Sequence, residues 1–319
     1  MKAVILAAGE GTRLRPFTVS RPKVMIPIGN RPILEYVVRA LAANGITEII
    51  LVVGYMKERI MSFFGNGSRF GVKISYAIQE KQLGTAHAAL AVRNQIKEEF
   101  IMVAGDNIID AQVISDLLKH KGGLAMLVTD SEMPSKYGVV QIESGRVVDI
   151  IEKPDKKVGN IINTGIYRLP PSIFDHLEKG VMAGKSGITH VLHSCMPRLK
   201  IEAVRSTGRW MDAVYPWDLI RLNEYAFSLS GQETAGLLHR GTSVHRRRVR
   251  DRSVRDDIPG HQHREWGAYR SLHVCQQLHD HEQRVHRLAR PHIQGGDRRR
   301  MPHHDRLLRP LRPGPGQGG

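Results

Sequence analysis

The sequence is poor in cysteine, in aromatic residues and in long apolar runs. Of its 319 residues only Cys195 and Cys275 are cysteines, and 6% are aromatic. Such sparse cysteine excludes a disulfide framework and predicts a reducing, cytoplasmic setting. No apolar run approaches the roughly 18 residues that a membrane span requires, so we expect no membrane partner.

Acidic residues are also scarce, but the imbalance is local. The chain has 47 Lys and Arg against 31 Asp and Glu, a formal charge of +16. Residues 235–319 contain 18 Arg, no Lys and 8 acidic residues, so they carry most of this charge. A basic surface throughout would favour a nucleic-acid partner. Because the excess lies at the end of the chain, we expect no nucleic acid to bind the rest.

Residues 230–319 also lack apolar periodicity. Arg, His, Pro and Gly dominate them, and few aliphatic residues are available for a core, which predicts little stable structure. One interpretation is a basic tail that binds nucleic acid. The other is a reading-frame shift near residues 229–240, because arginine enrichment without lysine is typical of a GC-rich gene read out of frame.

Residues 1–229 alternate between short apolar runs and amphipathic stretches. Strands are predicted at residues 3–8, 48–53, 73–78 and 100–104, and helices at residues 33–43, 57–64 and 86–92. This alternation predicts an α/β domain with a mostly parallel sheet and helices on both faces. Ligands bind such sheets outside the carboxyl ends of the strands.

After Asp110 the pattern becomes that of antiparallel strands. Residues 137–142 and 146–151 predict a hairpin around Ser144-Gly145. Further strands are predicted at residues 160–169 and 200–204, with helices beginning near Pro171 and over residues 217–227.

A glycine-rich segment with two cations follows the first predicted strand. It begins Gly9-Glu10-Gly11-Thr12-Arg13 and ends Pro22-Lys23. Glycines let backbone N–H groups approach a triphosphate, and the two cations bring positive charge to phosphate oxygens. The segment matches neither the P-loop nor the dinucleotide fingerprint. An ordinary turn with solvated charges would account for a lone Gly-x-Gly. It would not account for a segment that also contains these two cations and two prolines at fixed spacing.

The segment from Leu6 to Lys23 resembles the signature of the sugar-phosphate nucleotidylyltransferases, in particular archaeal enzymes that make UDP-N-acetylglucosamine or dTDP-glucose. The resemblance covers about two thirds of the chain and continues in order through Gln79, Leu83-Gly84-Thr85-Ala86, Gly105-Asp106, Tyr137-Gly138-Val139, Glu152-Lys153-Pro154, Asn163-Thr164-Gly165-Ile166-Tyr167 and Trp210-Met211-Asp212. It implies a Rossmann-like fold. It also implies nucleotidyl transfer from UTP or dTTP to a sugar 1-phosphate, with release of pyrophosphate.

The resemblance also implies residue roles. Arg13 and Lys23 would be catalytic, stabilising the reacting phosphates and the departing pyrophosphate. The nucleotide would be bound by Leu6, Ala8, Gly9, Gly11, Thr12, Gln79, Gly84 and Thr85. Gln79 is able to offer a donor and an acceptor to a pyrimidine edge, which favours UTP or dTTP. We interpret His87, a lone histidine on a helix, as structural.

The same resemblance also implies which residues would bind the metal and the sugar. Asp106 follows an apolar strand, and together with Asp212 it would hold Mg²⁺ beside the nucleotide. The sugar phosphate, N-acetylglucosamine-1-phosphate or glucose-1-phosphate, would contact Gly138, Glu152, Lys153, Asn163 and Tyr167. The choice of triphosphate and sugar stays open at this point, as does the oligomeric state.

Two departures from the family pattern affect these expectations. Val214 stands where the family commonly has glycine, two residues after the second metal carboxylate, which weakens the assignment of Asp212. The archaeal relatives continue into a left-handed β-helix of hexapeptide repeats, and no such repeat occurs in this tail, so we do not predict acetyl transfer. A catalytically silent sugar-nucleotide sensor is the alternative function.

Overall fold

The computed structural model describes residues 1–120 and 123–228. The predicted tail, residues 230–319, and the hypothesised frame shift lie outside the described residues. In the part of the chain that is described, no helix is long and apolar enough to cross a bilayer.

The described strands form one nine-stranded sheet and two short ribbons. In chain order they are β1 (Lys2–Ala7), β2 (Pro27–Ile28), β3 (Arg31–Pro32), β4 (Glu48–Val53), β5 (Lys73–Ile78), β6 (Phe100–Ala104), β7 (Asn107–Ile109), β8 (Ala125–Asp130), β9 (Gly138–Glu143), β10 (Arg146–Glu152), β11 (Ile161–Leu169), β12 (Glu202–Arg205) and β13 (Trp210–Asp212). The helices are α1 (Ile33–Ala43), α2 (Lys57–Phe64), α3 (Thr85–Leu90), α4 (Ala111–Lys119), α5 (Ile173–Met182) and α6 (Ile188–Cys195), and residues 218–228 are also helical.

The large sheet has the order β5-β4-β1-β6-β11-β8-β12-β10-β9. Its first four strands are parallel, as the sequence predicts. The second half is mixed: β11 is antiparallel to β6 and β8, whereas β12 is parallel to β8 and antiparallel to β10. The carboxyl ends of β1, β4, β5 and β6 therefore meet at one edge.

Helices cover both faces because successive strand side chains point to opposite sides. Val4, Met102 and Tyr167 pack on one face with buried residues of α3, α5 and α6. Ala3 and Val103 pack on the other face with α1, α2 and α4. The predicted α/β architecture is confirmed.

A third apolar cluster fixes the loop that follows β1. Leu14, Ile26 and Ile28 of this loop region pack with buried residues near the end of the described chain, namely Ala213, Leu219, Leu222, Tyr225 and Ala226. Each fully buried aliphatic side chain contributes roughly 1.5–3 kcal/mol. This cluster therefore holds the glycine-rich loop against the helical residues 218–228.

Candidate active site

A cavity of about 370 Å³ opens at the carboxyl edge of the parallel strands. Eleven of the predicted site residues line it: Leu6, Ala8, Gly9, Gly11, Thr12, Arg13, Lys23, Gln79, Gly84, Thr85 and Asp106. Small-molecule sites usually have volumes of about 300–1,000 Å³. Segments up to 100 residues apart in the chain thus form one concave surface of suitable size.

The two glycines of the first segment have different surroundings. Gly11 has a φ of +74°, and a Cβ placed there would lie 2.5 Å from the Cβ of Lys23. A Cβ on Gly9 would meet nothing within 4 Å. Gly11 is therefore required for the fold of the loop and for the position of Lys23, whereas Gly9 leaves open space on the cavity wall.

Lys23 and Asp106 form an ion pair in the cavity. The Lys23 Nζ donates to Oδ2 of Asp106 at 2.6 Å, and the two side chains are 14% and 35% exposed. Burial opposes ionisation of Asp106, but the charge and hydrogen bond of Lys23 and the charge of Arg13 outweigh it and lower the pKa of Asp106. The carboxylate is therefore ionised at neutral pH.

Strand pairing brings Asp212 beside Asp106. β13 pairs with β7, which places Asp212 opposite Asn107. The Tyr137 hydroxyl donates to Oδ1 of Asp212 at 2.7 Å. Burial and the negative charge of Asp106 raise the pKa of Asp212 to about 6, against the charge of Lys23 and the hydrogen bond from Tyr137. The two carboxylates therefore interact electrostatically.

This pair of carboxylates fits Mg²⁺. Magnesium is usually held by one or two carboxylates together with substrate phosphates. Asp106 and Asp212 supply hard oxygen donors, and Lys23 hydrogen-bonds only one oxygen of Asp106. Over residues 1–120 and 123–228, no three His, Cys, Asp or Glu side chains form a metal cluster. Phosphate oxygens and water would therefore fill the rest of the shell.

The loop before α3 is fastened to the segment before α6. Gly84 has a φ of +99°, and a Cβ there would lie 2.3 Å from the carbonyl oxygen of Ser186. That oxygen accepts from the Ala86 N–H at 2.9 Å, and Oγ1 of Thr85 accepts from the Ile188 N–H at 3.0 Å. Only glycine allows this close approach.

Gln79 is buried at the end of β5, with 4% of its surface exposed. Its Nε2 donates to the carbonyl oxygen of Gly84 at 3.0 Å and lies 3.0 Å from Nδ1 of His87. His87, interpreted from the sequence as structural, thus contacts the amide of the predicted base reader. A single histidine on a helix has no spacing signal that would have indicated this contact.

Four of the five predicted sugar-binding residues form a second cluster in the antiparallel half. Glu152 lies opposite Gly138 across β9 and β10. The Asn163 amide nitrogen donates to the Tyr167 hydroxyl at 2.6 Å. Burial and the negative charge of Glu152 raise the pKa of Tyr167 to about 12, against hydrogen bonds with Asn163 and Thr189. This group is built from side chains that already contact one another.

Lys153, the fifth, lies at the edge of this cluster. Its φ is +45°, and its backbone N–H donates to the carbonyl oxygen of Tyr137 at 2.9 Å. The side chain is half exposed, with Nζ 3.6 Å from Oε1 of Glu152. A lysine with this freedom is able to meet an anionic group as a point charge.

The first turn of α6 connects the two groups of residues. Ile188 bonds to Thr85 on the nucleotide side. The next residue, Thr189, hydrogen-bonds Tyr167, and its methyl carbon would lie 3.3 Å from a Cβ on Gly138. One helical turn therefore contacts both the predicted nucleotide site and the predicted sugar site.

Comparison with known protein families matches residues 2–226 to the family described as Nucleotidyl transferase. The matched range is more than two thirds of the chain. The chain belongs to this family. The residues matched to the nucleotidyl transferase family include both the predicted nucleotide site and the predicted sugar site.

Relatives within the nucleotidyl transferase family are found among archaea. The bifunctional protein GlmU of Methanococcus maripaludis is 37% identical over 249 residues, which are 76% of this chain and 59% of that protein. The UTP–glucose-1-phosphate uridylyltransferase AglF of Haloferax volcanii is 38% identical over 228 residues, 68% of this chain and 93% of that protein. The chain thus spans 59% of the length of the first of these two curated relatives.

Solved structures with a similar fold include a putative glucose-1-phosphate thymidylyltransferase from Bacillus anthracis, with a TM-score of 0.65 and 29% identity. That similarity covers 71% of this chain and 95% of the other. A UDP-glucose pyrophosphorylase complexed with UDP-glucose has a TM-score of 0.63 and 25% identity, with 72% of this chain and 98% of the other covered. The Rossmann-like fold expected from the resemblance is therefore confirmed.

Val214, which departs from the family pattern, lines the first cavity. Among the described residues, positive φ outside glycine occurs only at Asn30, Met56, Ser144 and Lys153. Val214 thus avoids the left-handed backbone that favours glycine, and its N–H donates to Oδ2 of Asp218 at 2.9 Å. Backbone strain at Val214 therefore does not count against Asp212 as a metal ligand.

A second cavity of about 540 Å³ borders Asp212 and includes two residues that sequence reasoning did not assign. These are Tyr137, which bonds Asp212, and Asp218, which accepts from Val214 and lies 3.4 Å from Nζ of Lys136. Tyr137 directly precedes Gly138 in the segment Tyr137-Gly138-Val139, which resembles the family pattern, so that resemblance could have indicated it. Asp218 begins the helical residues 218–228. Acidic residues are common in the first turn of any helix because they interact favourably with the helix dipole, so the sequence contains no specific signal for this residue.

Proposed function

We propose that this chain transfers a nucleotidyl group from UTP or dTTP to a sugar 1-phosphate and releases pyrophosphate. The observation that carries the proposal is the 370 Å³ cavity, which combines a glycine-rich loop, two cations, a buried amide and an ionised carboxylate. The names of the relatives are consistent with it, since they include a uridylyltransferase and a thymidylyltransferase acting on glucose-1-phosphate.

The catalytic contribution of the chain is electrostatic and positional. Transfer of this kind needs no protein nucleophile, because the sugar phosphate oxygen attacks the α-phosphate in line with the departing pyrophosphate. Arg13 and Lys23 stabilise negative charge on the reacting phosphates, and the open face at Gly9 lets the backbone approach them. Mg²⁺ held by Asp106 and Asp212 would neutralise further phosphate charge.

The acceptor sugar is assigned to the cluster around Tyr167. Glu152 and Asn163 offer hydrogen-bonding groups for sugar hydroxyls, and the half-exposed Lys153 offers a charge for the sugar phosphate. N-acetylglucosamine-1-phosphate and glucose-1-phosphate are the candidates. We further infer a cytoplasmic reaction, supported by the sparse cysteine of the chain.

The test is pyrophosphate release by the purified chain in Mg²⁺, with UTP and dTTP each paired with the two sugar phosphates. Turnover with at least one pair, lost in an Asp106→Ala variant, is the expected result. Lys119→Ala, which removes an exposed lysine of α4, serves as a surface control. Nucleotide binding without turnover on any pair would favour the silent sensor, and absence of both would contradict the proposal.

A further inference from the structure

The orientation of the Gln79 side-chain amide is fixed by two neighbours. The carbonyl oxygen of Gly84, 3.0 Å away, has no hydrogen to give, so the amide atom facing it must be the donor Nε2. The same Nε2 lies 3.0 Å from Nδ1 of His87. Both amide hydrogens are then engaged only if that imidazole nitrogen is an acceptor, which places the ring proton on Nε2 of His87.

From this geometry we infer that His87 is a positioning residue for base selection, because it locks the Gln79 amide so that only its carbonyl oxygen is available to a nucleotide. The inference rests on the proposed function, since it takes the cavity that Gln79 lines as the nucleotide site. It corrects the expectation that Gln79 offers both a donor and an acceptor, because both donor hydrogens are already used within the protein.

An acceptor at this position selects for a particular base edge. Uracil and thymine carry a hydrogen on N3, which the Gln79 carbonyl oxygen accepts, whereas cytosine N3 carries a lone pair that the same oxygen repels. A flipped amide would suit cytosine, but it would set its oxygen against the Gly84 carbonyl oxygen, and His87 would have to move its ring proton from Nε2 to Nδ1 to accommodate it. Removing the His87 acceptor leaves one of these two penalties, so selection against CTP should weaken without disappearing.

The experiment is equilibrium binding of UTP and CTP to the full chain with Mg²⁺ and without sugar phosphate, so that no turnover occurs. His87→Leu removes the acceptor at similar volume, and His87→Asn keeps one, because its Oδ1 is bonded to Cγ as Nδ1 is. The preference for UTP over CTP should fall about tenfold in His87→Leu and stay within about twofold of the parent in His87→Asn. If the leucine variant does not fold, His87→Ala carries the same expectation.

Two results would overturn the inference: an unchanged UTP preference in the leucine and alanine variants, or an equal loss in the asparagine variant, which would indicate packing. A Gln79→Leu variant separates this from failure of the proposed site. If that variant keeps the UTP preference, or if the parent binds neither nucleotide, the nucleotide assignment itself fails. Lack of turnover with intact UTP preference would contradict only the proposed reaction.

Discussion

The predicted nucleotide site and the predicted sugar site are constructed in different ways. The nucleotide site is largely backbone: glycines at the carboxyl edge of parallel strands leave a cavity whose walls include Gly9, Gly11 and Gly84. The sugar site is largely side chain: Asn163, Tyr167 and Glu152 lie on antiparallel strands and already interact with one another. Backbone sites fail when a Cβ is added, whereas side-chain sites fail when a single hydrogen-bonding group is removed.

The largest effect is expected at Lys23, a predicted catalytic cation that lines the cavity. Lys23→Ala should lower kcat about 10³-fold, because the charge it supplies acts on the transition state in a partly buried site. Steady-state pyrophosphate release measures this. Lys2→Ala, which removes an exposed lysine 3.7 Å from Glu48, should stay within about twofold of the parent. A loss below tenfold in the Lys23 variant would remove that residue from the catalytic group.

Adding one methyl group at two neighbouring glycines tests the backbone character of the nucleotide site. Gly11→Ala should destabilise the fold by about 1–2 kcal/mol and displace Lys23, because its φ is +74° and the new carbon would meet Lys23 at 2.5 Å. Gly9→Ala should have the same Tm as the parent but a KM for UTP about tenfold higher. Thermal unfolding and UTP titrations distinguish the two variants. Equal changes in Tm and in KM for both would contradict the different roles assigned to Gly9 and Gly11.

Removing one hydroxyl tests the side-chain character of the sugar site. Tyr167→Phe leaves the Asn163 amide without its 2.6 Å partner and should raise the KM for the sugar phosphate about tenfold, with the KM for UTP unchanged. The matched control is Tyr76→Phe, whose hydroxyl donates to Gly65 instead. A rise in both KM values of the Tyr167 variant would mean that the two sites are not separable.

The two predicted metal ligands, Asp106 and Asp212, should contribute to the stability of the metal-free protein with opposite dependence on pH. The folded pKa of Asp212 is raised from 3.8 to about 6, so the stabilisation from its protonation is present below pH 3.8 and is lost as pH rises to about 6. Asp212→Asn avoids that loss and should gain a few degrees of Tm, about 3 °C, relative to the parent between pH 4 and pH 7.

Asp106, whose pKa is lowered, gives the matched comparison. Its ion pair contributes stability that is fully present above the ordinary carboxyl pKa of 3.8 and is lost as pH falls below it, so Asp106→Asn should have a lower Tm than the parent between pH 4 and pH 7, and the gap should close below pH 3.8. Scans with a chelator at several pH values check both variants. The same sign of change in both would show that the opposite pKa shifts of these carboxylates are not realised.

The smallest effect is expected at Val214, which lines the predicted nucleotide cavity. Val214→Gly should change kcat/KM by less than about threefold, because the valine is not held in a backbone conformation that only glycine tolerates. Activity assays of the two proteins decide this. A rescue of a hundredfold or more would revive the idea that the natural site is impaired.

Prediction from the sequence succeeded where the signal is local. The predicted strands at residues 48–53, 73–78 and 100–104 agree with β4, β5 and β6 in both bounds, since apolar runs between polar breaks mark buried strands. β8 (Ala125–Asp130) and α6 were not predicted, because periodicity alone does not distinguish a short apolar run such as AMLVTD from a buried helical segment.

The candidate site divides in the same way. Gly9, Gly11, Arg13 and Lys23 lie within fifteen consecutive positions, so one segment contains most of the predicted phosphate contacts. The bond from Tyr137 to Asp212 depends on the pairing of β13 with β7, and the contact between Gln79 and His87 depends on a turn at Gly84. Neither follows from spacing, because both are set by long-range packing.

The close approach of Gly84 to Ser186 has a consequence for protein engineering. A chimera that exchanges α6 to import another acceptor preference would also bring a new backbone path at residue 186, and only 2.3 Å separates that carbonyl oxygen from a Cβ at position 84. Crossover points should therefore take residues 84–88 and 186–189 from one parent. A hybrid that combines this path at residue 186 with any side chain at position 84 would be expected to misfold there.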